Sequence, residues 1–443
     1  MAGFLEVPPR NVTVEGSPVE ITTTARLFYN LRPAATDATS RPIVFLFNGY
    51  AAEIVRAFGT GPTGVGPSGI VEANPSPLTE AVNLVYLDPR QSGYSYDIPP
   101  PGASATPTPA TCSPDIFNEY VDAADVLYAA LTFLEDHPEL VGPVYWMGES
   151  YAGVRITWIL TYLRGRWDLV PYVDPSLATK IAASRRSASL YAGQILLEAW
   201  LAGGPEATAI QAACVDPTQA AAVATTAGES CAGAGACQCA TNLGLSLYNF
   251  AYTDGFETKR ETEAITAHID PTQAAALLGM PLTSIAELAP RERGKGFKCS
   301  PADATIPTEA ALVAALGPLP DGQVYYLDYS PLMQGKETVQ TTRDWQTTPS
   351  EALAFVDNLR DVPSLLTRGA HDLVVPTLAL APALRAVIGS ARVDTSRSNA
   401  LGVVYPDGER FIDIRDYADA GHMVTMTAPT EFAADLEAWL AAR

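Results

Sequence analysis

The 443-residue sequence predicts an α/β fold: a mostly parallel sheet with flanking helices, interrupted by a largely helical cap insertion. Three observations lead there. Short apolar runs such as those at 42–47 and 83–88 lack alternation, as expected of strands buried on both faces. They alternate with stretches of helical spacing, the rhythm of crossovers between parallel strands. That rhythm stops near residue 185 and resumes near 346, and the stretch between is rich in alanine and broken by Gly and Pro. The expected organisation is a core in two parts, 1–184 and 346–443, around a helical insertion at 185–345.

The elements follow in order. Residues 10–30 alternate apolar and polar positions, with Val12 and Val14, Val19 and Ile21, then Leu27 and Tyr29. Gly16-Ser17 between them predicts an opening β-hairpin. PIVFLF at 42–47 and NLVYLD at 83–88 are the first buried strands, and the Pro/Ala/Ser/Thr-rich stretch 98–114 is a loop. Residues 115–137 carry Phe117, Val121, Ala124, Leu127 and Leu131 on one helical face. A strand at 144–147 and a helix at about 151–164 complete the first part. Strands at 364–368 and 410–415 and a closing helix at about 430–442 form the second.

Charge and cysteine content narrow the function. Lys plus Arg number 28 and Asp plus Glu 49, so the formal net charge is 28 − 49 = −21. With no basic run to meet phosphates, neither nucleic acid nor an anionic membrane is an expected partner. The most apolar stretch, 188–202, is broken by Gln194 and Glu198, so no membrane span is expected. The first residues lack a basic start followed by an apolar core, so no secretory signal is expected in this chain. Six cysteines, Cys112, Cys214, Cys231, Cys237, Cys239 and Cys299, favour disulfides in a secreted or periplasmic protein. Fifteen pairings are possible, and free thiols in a cytoplasmic protein are the alternative. Cys231, Cys237 and Cys239 lack zinc spacing. No metal and no cofactor are expected.

The chemistry centres on Gly148-Glu149-Ser150-Tyr151-Ala152-Gly153, a G-x-S-x-G directly between a strand and a helix. A sharp turn between small residues presents the Ser150 hydroxyl and aims a helix N-terminus at the reacting carbonyl. The serine needs a base, and there are four histidines. His137 falls at a helix end, His268 in the insertion, and His371 beside Asp372. His422, in Ala420-Gly421-His422-Met423, lies on a loop between the 410–415 strand and the last helix, where a base can meet a serine at the strand ends. Asp372, past the end of the preceding strand, orients the imidazole. Asp361 lies on the wrong side of that strand. The chain order Ser150, Asp372, His422 is the α/β-hydrolase order. The oxyanion donors expected are the Tyr151 N–H and an N–H from Asn48-Gly49-Tyr50.

Taken together, these segments resemble the serine carboxypeptidase family within the α/β-hydrolase fold. The resemblance runs through Leu27-Phe28-Tyr29-Asn30, Asn48-Gly49, NLVYLD at 83–88, Gly93-Tyr94-Ser95-Tyr96, the Ser150 hexapeptide, Asp372 and the AGHM at 420–423. It implies release of C-terminal residues from peptides, with Asn48 and Glu149 hydrogen-bonding the substrate's terminal carboxylate. A carboxyl that donates to a carboxylate must be protonated, so binding favours acidic pH. The sequence departs from the family in one loop. The family's Gly-Gly-Pro-Gly reads Gly49-Tyr50-Ala51-Ala52, and Gly59 and Thr60 precede Gly61-Pro62 where an acidic residue is expected. Three alternatives stay open: a serine carboxypeptidase-like acyltransferase or esterase, a proline-iminopeptidase-type aminopeptidase suggested by residues 87–93, and a non-catalytic binding protein.

Overall fold

The computed structural model describes residues 1–49, 59–65, 71–92, 95–104, 108, 110–113, 116–184, 190–197, 349–369, 392–394, 402–404, 411–417, 420 and 423–443. Most of the expected insertion thus lies outside the described residues. The chain divides into two compact units. The described part of the first is Met1–Trp146 with residues 155–192; that of the second is Met147–Val154 with Gly193–Leu197 and residues from 349 onward.

The first unit opens with β1 (Ala2–Val7), β2 (Arg10–Val14), β3 (Ser17–Ile21) and β4 (Thr24–Arg32). The hairpin of β2 and β3 pairs Val14 with Ser17, leaving Glu15 and Gly16 as a two-residue turn with φ of 50° and 81°. Two positive φ values match the right-handed twist of the flanking strands. Next come β5 (Ile43–Phe47), β6 (Thr63–Val65), β7 (Val71–Ala73), β8 (Asn83–Leu87) and β9 (Tyr96–Ile98). Helix α1 (Glu119–Asp136) follows, capped by Asn118, whose side chain accepts from the N–H groups of Tyr120 and Val121. Strand β10 (Val144–Glu149) begins in the first unit and ends in the second, and α2 (Ala152–Leu163) runs the other way. Strand β11 (Tyr172–Val173) and α3 (Pro175–Ala183) close the first unit's described residues.

Its sheet order is β1-β4-β8-β5-β10, with β9 beside β4. The β1/β4 and β4/β8 pairs are antiparallel, and β8/β5 is parallel. Every residue of β5 and β8 is buried, so the continuous apolar runs do mark interior strands. Phe45 and Phe47 stack on Trp146 with ring centroids 5.0 and 6.1 Å apart, and the Trp146 indole N–H donates to Leu190 O at 2.7 Å. The Ser95 hydroxyl donates to Asp88 O at 2.8 Å and accepts from Phe28 N at 2.9 Å. In this chain the serine of the GYSY segment thus ties the end of β8 to β4.

A buried ionic network lies inside this unit. Arg10 pairs with Asp125 of α1 and, at 2.7 Å, with Asp174, the N-cap of α3. Arg90 meets the other Asp125 oxygen at 2.5 Å and Asp97 of β9 at 2.8 Å. Thr23 and Gln91 also donate to Asp97. These five charged residues are each 8 % exposed or less, and two guanidiniums face three carboxyls, 2 − 3 = −1 with all ionised.

The second unit continues with β12 (Gly193–Leu197), α4 (Pro349–Asp361), β13 (Ser364–Gly369), β14 (Arg392–Asp394), β15 (Gly402–Val404), β16 (Phe411–Tyr417), α5 (Val424–Thr427) and α6 (Pro429–Ala441). Its order is β10-β12-β13-β16-β15-β14. The β12/β13 and β13/β16 pairs are parallel, and the last two strands add antiparallel. The fold is α/β, a mostly parallel sheet with flanking helices. One boundary differs from expectation: β12 falls within 185–345, yet it is a fully buried core strand. Its sequence, GQILL, carries a buried glutamine inside the apolar run, and pairing with β13 identifies it as a strand.

Candidate active site

Strand β10 enters the second unit at Met147, and all its residues are buried, including Glu149. The chain then turns sharply. Ser150 has φ of +59°, a left-handed conformation that a side chain adopts only at a cost. The Ser150 N–H donates to Leu197 O of β12 at 3.1 Å. The Gly153 and Val154 N–H groups donate to Ser150 O and Tyr151 O, both at 3.0 Å, and α2 is under way by Ala152. Ser150 and Tyr151 are half-buried between a fully buried Glu149 and a buried Ala152. The predicted strand–serine–helix turn is therefore present, and its strain falls on the serine.

Asp372 and His422 lie outside the described residues, but the strands that lead to them do not. In the same unit as Ser150, β13 ends at Gly369, which pairs with Tyr417 at the end of β16. The neighbouring β12 ends at Leu197, the acceptor for the Ser150 N–H. The carboxyl ends of β12, β13 and β16 thus share one edge of this parallel run with the serine turn, the edge where open α/β sheets place their sites. Asp372 follows β13 by three residues and His422 follows β16 by five. On either side of His422, Ala420 and Met423 are buried.

Within the first unit, β5 runs into Asn48 and Gly49, both buried. Asn48 O accepts from Arg155 Nη1 at 3.0 Å, and Arg155 Nε donates to Asp122 of α1 at 2.9 Å. Further along the chain, the Asn74 side-chain N–H₂ donates to Gly59 O and, at 2.8 Å, to Gly61 O, while Thr60 Oγ1 and Tyr86 OH lie 2.6 Å apart. Asn48 and residues 59–61 are thus each anchored by side-chain hydrogen bonds. Tyr50 itself lies outside the described residues.

Sequence reading did not single out Arg155. A signal was available: it is the only charged residue in AGVRITWILTYL, the whole of α2. Its partners, however, come from segments 33 and 107 residues away.

Among the described residues no cluster of His, Cys, Asp and Glu could hold a metal ion, and no helix is long and apolar enough to cross a membrane.

Residues 15–164 match the family model described as serine carboxypeptidase. No curated protein matches the chain. Among solved structures it is similar to Kex1(delta)p, a prohormone-processing carboxypeptidase from Saccharomyces cerevisiae, at 14% identity over 95% of this chain and 87% of that one, with a TM-score of 0.49. It is also similar to the esterase RhEst1 from Rhodococcus sp. ECU1013, at 14% identity over 98% and 99% with a TM-score of 0.41. A thermophilic esterase from Thermogutta terrifontis gives 13% identity over 98% and 99% with a TM-score of 0.37.

Proposed function

We propose, on the footing that residues 15–164 match the serine carboxypeptidase family as a divergent member, that this protein is a serine hydrolase releasing C-terminal residues from peptides. The observation that carries the reading is the positive φ of Ser150 between β10 and α2. Strain of this kind persists where function requires it, and a nucleophile on a strand-to-helix turn is such a case.

In the proposed mechanism His422 accepts the Ser150 Oγ proton as Oγ attacks the scissile carbonyl carbon, and Asp372 holds the imidazole and stabilises its cation. The oxyanion takes the Tyr151 N–H and an N–H from Gly49 or Tyr50. As the C–N bond breaks, His422 returns the proton to the leaving amine, which departs as the free C-terminal residue. Water then attacks the acyl-enzyme through the same base, freeing the shortened peptide and restoring Ser150. Asn48 and a protonated Glu149 hold the terminal carboxylate of the substrate, so turnover is fastest in acid. The partner is a peptide or small acyl substrate, not nucleic acid or membrane.

N-blocked dipeptides assayed between about pH 4 and 8 test this reading. The C-terminal amino acid is expected to be released, faster toward acid, and C-terminal amidation should slow release sharply. No amino-acid release anywhere in the range would sink the proposal. The Tyr50 departure favours a second reading, acyl transfer, which a donor–acceptor pair giving transfer product in place of hydrolysis would reveal. Cleavage that demands a free N-terminus would point to the aminopeptidase instead.

We also infer an oxidising compartment. The even count of six cysteines supports it; Cys112 lies among the described residues and the other five lie outside them. Denatured, unreduced protein is expected to present no reactive thiol and the reduced protein six. Six thiols without reductant would exclude disulfides.

A further inference from the structure

We infer that Arg155 is a positioning residue that aims the Gly49 N–H by holding the Asn48–Gly49 peptide. The inference rests on the reading above, which makes Gly49 a candidate oxyanion donor.

Arg155 lies five residues after Ser150 and is 2 % exposed. Asp122, Asn48 and Phe47 all meet its guanidinium. Nε donates to Asp122 Oδ2 at 2.9 Å, Nη1 donates to Asn48 O at 3.0 Å, and the guanidinium carbon stands 5.9 Å from the Phe47 ring centroid. A planar fork with donors in fixed directions suits this task, and a lysine ammonium does not reproduce it. The Asn48–Gly49 peptide is trans. In a planar trans peptide the C=O and N–H point in opposite directions, so pinning the Asn48 carbonyl also sets the direction of the Gly49 N–H. A glycine has little intrinsic preference to do this alone. Oxyanion donors stabilise the transition state because they are oriented beforehand, so a tilted donor costs rate even when it is present. An ion pair serving only to join α1 to α2 would need Asp122 alone. The bond to Asn48 O is the additional feature, and it falls on the peptide that carries the Gly49 N–H.

The test measures kcat and KM for C-terminal release, the rate at which a fluorophosphonate labels Ser150, and the thermal midpoint. Arg155→Lys keeps the charge beside Asp122. It is expected to lower kcat about tenfold to a hundredfold with KM within about threefold, and to slow labelling in proportion. The double variant Arg155→Met with Asp122→Leu removes both buried charges, which preserves folding where a single removal does not. It too is expected to lose kcat and keep its midpoint within a few degrees. Wild-type kcat in either folded variant overturns the positioning role. If the wild-type protein neither releases amino acids nor labels at Ser150, the reading of the site has failed, a separate outcome.

Discussion

Replacing Ser150 by alanine is expected to lower turnover of any accepted substrate by about four to six orders of magnitude, as removal of a triad serine does. The effect should lie in kcat, with substrate affinity little changed, because the lost hydroxyl forms the bond. Folding should survive, since alanine meets the same left-handed backbone as serine at φ +59°. The strain itself can be read separately. Glycine enters that region without steric cost, so Ser150→Gly should be equally inactive yet more stable than Ser150→Ala by about 1 kcal/mol. Thermal melts of the two variants beside the activity assay make the comparison. An alanine variant that keeps a tenth of wild-type turnover would remove Ser150 from the mechanism. A glycine variant no more stable than the alanine one would show that the turn holds no strain.

The largest stability effect is expected at Asp125, whose two oxygens meet Arg10 and Arg90 in a fully buried position. Asp125→Ala leaves two guanidiniums facing each other without the shared carboxylate, a change that costs about 3–5 kcal/mol. Chemical denaturation should show it as a shift of midpoint at unchanged slope. A shift below about 1 kcal/mol would mean that water or rearrangement compensates the charges.

The same network gives stability a pH dependence whose sign follows from two carboxyls. Burial raises the pKa of Asp97, with Asp125 adding to the rise and Arg90 and Gln91 opposing it. Its folded value lies above the unfolded one, so its contribution is complete below the unfolded pKa and is lost as pH rises through the folded value. For Asp174 burial acts upward, but Arg10, the Leu177 N–H and Ser176 outweigh it and lower the pKa. Its contribution is present above the unfolded pKa and is lost as pH falls through the lowered folded value. The contribution of these two carboxyls should therefore be greatest around the ordinary carboxylate range and fall off as pH moves away from it in either direction. Asp97→Asn, which mimics the protonated carboxyl, should flatten the decline on the neutral side and leave the acid limb in place.

The parts of this molecule that could be read in advance are those whose cause is local. Residues 42–47 and 83–88 are apolar without interruption because their strands are covered on both faces, and a run of that kind needs no partner to be recognised. The turn at Ser150 was legible for a similar reason, since small residues around a serine between a strand and a helix permit little else. Strand β12 and the edge strands β14 and β15 were not legible. GQILL interrupts its apolar run with a buried glutamine, RVD and GVV are only three residues long, and all three are identified as strands by pairing.

Charged residues divide the same way. The net charge of −21 follows from composition, and it bears on partners and solubility alone. That Arg10, Arg90, Asp97, Asp125 and Asp174 form one buried network, with a carboxyl in excess, could not be read from positions up to 164 residues apart. Arg155 is the clearest instance. As a letter it is one charge in an apolar helix, and its reach to Asn48 O exists only because β5, α1 and α2 are packed together. Periodicity and turn chemistry act over a few residues and are written in the chain. The partner of a buried charge is chosen by the packing of distant segments, because a guanidinium taken from water must meet whichever acceptors the fold brings to it.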